Sequence, residues 1–200
     1  MKLSSLVIKS GLFILLGLTM VLLQLNGHWT ETLLQFDRAA LEQGQWWRLF
    51  SAHLLHTNRW HLLMNLAALA VIFLMHVPHY NIHRLVYLLV SGCGLIGLAI
   101  WFWSPEISYY VGLSGWLHAL LVWGACQDIQ RQWSSGWLIL AGVAAKIGWE
   151  QWQGASQQLI TLIDADVATD AHLYGMITGI ALYLVSLSIQ YVRQNRHTAR

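Results

Sequence analysis

The sequence predicts an all-α polytopic membrane protein, a bundle of six transmembrane helices. Of its 200 residues, 56% are hydrophobic and only 10% are charged, whereas soluble domains carry about a quarter charged residues. The apolar residues fall into six runs whose lengths suit helices that cross, or nearly cross, a bilayer. The 12 tryptophans suit the interfaces between lipid and water. The net charge of +2 is too small to indicate a nucleic-acid partner.

The six predicted spans differ in how strongly the sequence supports them. The first covers residues 10–27 and is interpreted as an uncleaved span, because the small-residue cleavage pattern of a signal peptide does not follow it. The others are predicted at residues 60–77, 85–103, 114–126, 136–149 and 171–191. The fourth spans only about 20 Å, against a bilayer core of about 30 Å. The fifth is the weakest because Lys146 interrupts it.

Basic residues between the spans predict the orientation. With six spans both termini lie on one side, and seven of the 11 Lys and Arg residues fall on that side. These seven are Lys2, Lys9, Arg84, Arg131, Arg193, Arg196 and Arg200. The positive-inside rule then predicts that both termini are cytoplasmic.

The remaining segments complete a single predicted membrane domain over residues 1–200. Residues 28–59 form an outer loop, and segment 31–50 within it has the apolar spacing of one amphipathic helix at the interface. Residues 192–200 form a cytoplasmic tail.

The second, fourth and sixth predicted spans carry polar side chains near their outer ends. The second contains His61 and Asn65, one helical turn apart. Ser114 opens the fourth span, and His172 opens the sixth. Polar groups at membrane depth are costly and usually mark function. Four of them at a matching depth on three helices are hard to explain by packing alone.

Small residues predict that the fourth and sixth spans pack closely. Gly175 and Gly179 form a small-xxx-small pair below His172, and Gly115 opens a similar pair below Ser114. Such pairs let helix backbones approach each other in lipid. We therefore expect Ser114 to lie within hydrogen-bonding reach of His172.

This pairing predicts nucleophilic catalysis. A serine hydroxyl becomes a nucleophile when a base such as His172 takes its proton. The transition state of acyl transfer also needs donors for its oxyanion. His61, Asn65 and the backbone N–H of Ser114 are the candidate donors.

Four motifs resemble those of the rhomboid family of intramembrane serine proteases. They are "GLSG" at 112–115, "AHLYGMITG" at 171–179, "HLLMN" at 61–65 and "WWRLF" at 46–50. The resemblance implies a catalytic dyad of Ser114 and His172 and an oxyanion hole that includes His61 and Asn65. Gly112, Gly115, Gly175 and Gly179 are supporting residues of these motifs, and His56 matches a further family histidine before the second span.

Within that family the chain resembles the rhombosortases, a compact six-span form whose sixth span often begins "DAH", here at residues 170–172. This resemblance implies a serine endopeptidase of the bacterial inner membrane, with its active site toward the periplasm. The expected substrates are exported proteins with a C-terminal Gly-Gly motif, a membrane anchor in the lipid and a basic tail, cut near the outer face. Neither a cofactor nor a metal is expected.

Two other functions stay open. One is a catalytically inactive rhomboid-like protein that binds transmembrane clients. The other is a small channel or transporter, which would need a polar path to the cytoplasm.

Further polar residues receive structural interpretations. His118 lies four residues after Ser114 on the same helix face, so it is expected to pack or to hold water while His172 acts as the base. His53, His56 and His61 do not share one helical face, which argues against a metal site. His76, His79 and His83 are expected in a solvated inner loop. Glu150, Asp164, Asp166 and Asp170 are expected to form a solvated outer face. Asp170 lies two residues before His172 and therefore on the wrong side of the helix to contact its ring, so no catalytic triad is predicted.

Overall fold

The computed structural model describes residues 3–198. Lys2 and Arg200, which contributed to the predicted orientation, lie outside the described residues. The described helices are α1 (Leu3–Leu25), α2 (Gly27–Leu34), α3 (Arg38–Glu42), α4 (Arg48–Ser51), α5 (Arg59–His76), α6 (Ile82–Trp103), α7 (Ser114–Gln130), α8 (Ser135–Gln153), α9 (Gln157–Ile163) and α10 (Thr169–Thr198). Two short strands, β1 (Phe36–Asp37) and β2 (Tyr109–Tyr110), pair antiparallel. The prediction of a helical protein is confirmed.

Four of the described helices are long and apolar enough to cross a membrane. These stretches are Ile8–Leu25, Arg59–His79, Ile82–Trp103 and Thr169–Val192. Helix α7 has 17 residues, and α8 carries Lys146 and Glu150 within its 19 residues. The length and composition of these helices therefore identify the chain as a multi-pass membrane protein. The count of six spans and the cytoplasmic termini stay predictions.

Helix α7 is the centre of the bundle. It packs against α5, α6, α8 and α10, and most of its side chains are buried, including Leu120 and Trp123. A helix that is buried over most of its surface is largely shielded from lipid by protein. A central position of this kind would accommodate a helix that is shorter than the bilayer core.

The contact between α7 and α10 is made by backbone atoms. A Cβ atom on Gly175 would collide with the carbonyl oxygen of Gly115, and one on Gly179 would lie 2.5 Å from the carbonyl oxygen of Ala119. In the other direction, a Cβ on Gly115 would lie 2.8 Å from the carbonyl oxygen of Ala171. The close packing that the small residues predicted is present at both pairs.

The outer loop is not the single amphipathic helix that its spacing predicted. It is divided into α2, α3 and α4, because Asp37 caps the start of α3 by accepting a hydrogen bond from the backbone N–H of Ala40. Gly44 then turns the chain with φ +89°, a conformation that glycine adopts without strain. Side-chain capping and a left-handed glycine therefore outweigh the apolar periodicity here.

Two buried or half-buried arginines hold this loop to the bundle. Arg48, which is 4% exposed, donates to the carbonyl oxygens of Gln35 and Thr32, each at 2.8 Å. Arg38 donates to carbonyl oxygens at the carboxyl end of α6, those of Trp101 at 2.9 Å and Ser104 at 2.8 Å. Since β1 also pairs with β2, just before α7, the loop is fixed against the segment that leads to Ser114.

The glycine contact predicts the effect of adding one methyl group. Gly175→Ala should lower the free energy of unfolding by about 1–3 kcal/mol, the usual cost of overpacking, because the backbones of α7 and α10 must separate. The matched control is Gly142→Ala in α8, where a Cβ meets nothing within 4 Å and helix propensity favours alanine by about 1 kcal/mol. Unfolding in mixed detergent micelles, followed by circular dichroism, measures both. Equal stabilities of the two variants would contradict this account.

Candidate active site

Ser114 and His172 lie in the first turns of α7 and α10, which places their side chains side by side. The hydroxyl oxygen of Ser114 is 2.9 Å from Nε2 of His172. His172 is 5% exposed. The sequence prediction that these two residues meet agrees with this geometry, and the contact crosses 58 residues of chain.

The turn before Ser114 is fixed by Gly112. Its φ is +135°, a conformation that side chains with a Cβ rarely adopt. A Cβ there would also lie 3.0 Å from the imidazole of His61. The hydroxyl of Tyr110 donates to the carbonyl oxygen of Gly112 at 2.6 Å, and the N–H of Gly112 donates to the carbonyl oxygen of Ala52 at 3.1 Å. These bonds fix the height at which α7 starts.

Glu150 of α8 approaches the other nitrogen of the His172 ring. Its Oε2 lies 2.9 Å from Nδ1 of His172, and its Oε1 lies 2.7 Å from the ammonium nitrogen of Lys146. Glu150 is only 8% exposed, so the prediction of a solvated position is wrong for this residue. Glu150 shares the buried face of α8 with Val143 and Ile147. The other faces of this helix are apolar as well, so the periodicity of the sequence does not single out this face.

The other three acids of that group differ from Glu150. Asp164 and Asp166 are exposed, as expected. Asp170 is half-buried and accepts a hydrogen bond from the hydroxyl of Ser104 at 2.7 Å. Its carboxylate is therefore engaged with the end of α6.

His118 packs on the face of the His172 ring. The ring centroids are 4.4 Å apart and the planes are inclined by 27°. Nδ1 of His118 lies 2.7 Å from the carbonyl oxygen of Ser114. Because a carbonyl oxygen only accepts, this nitrogen carries the proton of a neutral ring. This position of His118 suits the packing role that the sequence predicted. A histidine on the same helix as Ser114 is poorly placed to take the proton of the serine hydroxyl.

His61 and Asn65 line the same space from α5. Nδ1 of His61 lies 3.2 Å from the hydroxyl oxygen of Thr57, and the other edge of the ring faces Gly112. The side-chain amide of Asn65 donates to the carbonyl oxygen of His61 at 3.0 Å. An amide nitrogen has two protons, so one remains for a ligand.

His56 supports His61 from the loop before α5. The two rings make an edge contact with centroids 4.9 Å apart. Burial, together with the neighbouring His61, lowers the pKa of His56 to about 3. Since a lowered pKa leaves the neutral form dominant, His56 is uncharged at neutral pH and adds no cation beside His61.

Two cavities meet at Ser114. One of about 380 Å³ opens beneath the outer loop and includes Glu31, Tyr109 and Asp166 in its lining. The other, of about 370 Å³, is a mainly apolar groove beside α5 and α8. Ser114 and His61 line both, so a polar approach and an apolar approach converge on the serine.

A second polar cluster closes the opposite end of α7. His76 and His79 are 0% and 1% exposed, so the prediction of a solvated loop is wrong for both, while His83 is exposed as expected. Nε2 of His79 lies 2.5 Å from the carboxylate of Asp128, and the hydroxyl of Ser135 donates to that carboxylate at 3.0 Å. Both histidines lie next to the buried carboxylate of Asp128, which accounts for their burial.

Comparison with known proteins identifies the family. The family model described as Rhomboid domain matches residues 43–189, which include all of the motifs and both members of the serine–histidine pair. Comparison with curated proteins gives no significant match. Because the family model covers well over half of the chain, the protein belongs to the rhomboid family, whose members are generally intramembrane serine proteases.

Proposed function

We propose that this protein is an intramembrane serine protease that uses Ser114 as nucleophile and His172 as general base. The observation that carries the proposal is the 2.9 Å contact between the serine hydroxyl and Nε2 of His172. The imidazole takes the hydroxyl proton as the oxygen attacks a peptide carbonyl, and then gives that proton to the leaving amine. Water resolves the acyl-enzyme in a second attack of the same kind.

Oxyanion stabilisation is assigned to the start of α7 and to α5. The first N–H groups of a helix have no intrahelical acceptor and carry a partial positive charge. The N–H of Ser114 is the first of α7, and His61 and Asn65 line the adjacent groove. Together they can surround an oxygen that becomes negative beside the serine.

No observation favours either alternative function, the inactive client-binding protein or the channel. An inactive client-binding member has no need of a serine hydroxyl bonded to a buried histidine, yet that bond is present. A channel needs a polar path along the bundle. Helix α7 instead has buried apolar side chains such as Leu120 and Trp123 between its polar ends.

Two cavities and the rhombosortase resemblance support the substrate class that we propose. The mainly apolar groove suits a membrane anchor, and the opening beneath the outer loop suits an extended polar segment next to it. The substrate is then an exported protein with a C-terminal anchor, cut at a Gly-Gly motif close to the periplasmic face of the bacterial inner membrane. Glycine favours such a site because it costs about 1 kcal/mol relative to alanine in a helix, so the anchor unwinds there.

Removing either member of the pair tests the proposed chemistry. Ser114→Ala and His172→Ala should each abolish cleavage of an anchored reporter, and Ser114→Ala should also abolish labelling by a fluorophosphonate probe in membranes. Ser108→Ala and His83→Ala, at exposed positions, are the matched controls and should keep full activity. Wild-type cleavage by either variant of the pair would refute the assignment.

Removing one proposed oxyanion donor should reduce activity less than removing Ser114 or His172. Asn65→Ala should lower kcat by about 10²–10³-fold with little change in KM, because the donor acts in the transition state. His61→Ala should fall in a similar range. Asn26→Ala, at an exposed position, is the control. Full kcat in Asn65→Ala, measured on a fluorogenic anchored peptide in proteoliposomes, would remove Asn65 from the oxyanion hole.

The substrate proposal is tested with a periplasmic reporter fused to a Gly-Gly motif, an apolar anchor and a basic tail. Co-expression with the protease should release the reporter, and mass spectrometry of its new C-terminus should locate the cut at or beside the glycines. Changing Gly-Gly to Leu-Leu should slow release at least about tenfold, because the segment then stays helical. Equal release of both reporters would disprove the substrate class and leave the serine protease assignment intact.

A further inference from the structure

His172 has a partner on each ring nitrogen. Ser114 lies 2.9 Å from Nε2, and the carboxylate of Glu150 lies 2.9 Å from Nδ1. We propose that Glu150 is a positioning residue that holds His172 in the tautomer and orientation needed for proton transfer, so that the site operates as a Ser114–His172–Glu150 triad. This inference rests on the proposed function and assigns a residue that the family motifs quoted above do not contain.

The argument begins with the tautomer. A neutral imidazole has one N–H, and an ionised carboxylate only accepts hydrogen bonds. Contact with Glu150 therefore places the proton of neutral His172 on Nδ1 and leaves a lone pair on Nε2, toward the serine hydroxyl. The opposite tautomer would present an N–H to the hydroxyl and could not take its proton.

Lys146 keeps Glu150 in the required form. Lys146 lies one helical turn before Glu150 in α8, and its ammonium nitrogen is 2.7 Å from Oε1 of Glu150. The other carboxylate oxygen, Oε2, faces His172. A buried carboxylate is stable as an anion only when it is paired and hydrogen-bonded. Here each oxygen has one donor. When His172 becomes an imidazolium during the attack, the carboxylate compensates the new charge directly.

The other groups near His172 have different partners. His118 stacks on the ring face and bonds to the carbonyl oxygen of Ser114. Asp170, on the same helix as His172, accepts from Ser104. Among the side chains that the structure describes, Glu150 is the carboxylate in contact with the ring of His172. No other described carboxylate can therefore take the place of Glu150 beside His172.

A competing explanation is that Glu150 only packs and pairs with Lys146 along α8. The two explanations rank two variants oppositely. Glutamine has the shape of glutamate, so pure packing makes Glu150→Gln milder than Glu150→Ala. Under the triad, Lys146 attracts the amide oxygen of the glutamine and turns its NH₂ group toward His172. That donor selects the unproductive tautomer, whereas alanine leaves space for water.

The experiment measures the rate of Ser114 labelling by a fluorophosphonate probe in the purified full chain in detergent micelles. Glu150→Gln should label about 10²–10⁴-fold more slowly than wild type, the range expected when a triad carboxylate is lost, and more slowly than Glu150→Ala. The double variant Lys146→Met, Glu150→Gln should recover at least tenfold over the single variant, because its amide is free to turn. Glu106→Gln, at an exposed position, should match wild type.

The outcomes separate the two proposals. If Glu150→Gln labels at more than half of the wild-type rate while Ser114→Ala is unlabelled, the positioning role is refuted and the protease assignment stands. If Ser114→Ala still cleaves substrate, the protease assignment itself fails. Thermal unfolding establishes which variants are folded. Should Glu150→Gln not fold, added formate decides with Glu150→Ala: faster labelling with formate supports the role, and an unchanged rate overturns it.

Discussion

The backbone contact between α7 and α10 is the constraint on which the site depends. Ser114 and His172 belong to different helices, and their hydrogen bond of 2.9 Å requires the helix axes to stay close one turn below. Gly115 and Gly175 meet there with no side chain between them. In lipid, such contacts are held by van der Waals packing and not by hydrophobic exclusion from water. A single added methyl group therefore acts on the geometry of the serine–histidine pair as well as on stability.

The polar groups near the two ends of α7 also form contacts within the protein. The 17 residues of α7 span on the order of 25 Å, less than a bilayer core of about 30 Å. Each end is therefore paired within protein: Ser114 with His172 at one end, and Asp128 with His79 at the other. The helix is buried between them, which leaves the two polar clusters separated by apolar packing. A histidine contacts the polar residue near each end, His172 in the proposed dyad and His79 beside Asp128.

The sequence predicted the pair because helix periodicity and small-residue spacing determine which face of α10 meets α7. Glu150 was missed because its contact depends on how α8 rotates about its own axis, and a charged residue just beyond the end of a weakly apolar predicted span looks solvated. The buried histidines before α6 were missed for a related reason, since their partner Asp128 is 49 residues distant from His79. The outer loop was mispredicted although its signals were local: a capping aspartate and a glycine with positive φ interrupt the apolar spacing. The rotation of α8, unlike that of α10, is therefore defined only by the complete packing.

The position of the charged groups suits chemistry in a membrane. The groove beside α5 and α8 is mainly apolar, and electrostatic interactions strengthen where water is excluded. An imidazolium that forms in such a place is costly unless a negative charge is already there. Glu150 supplies that charge at 2.9 Å, and Lys146 balances it from a half-exposed position when the histidine is neutral. The ion pair on α8 thus keeps a carboxylate inside the bundle, next to the histidine that we propose as the general base.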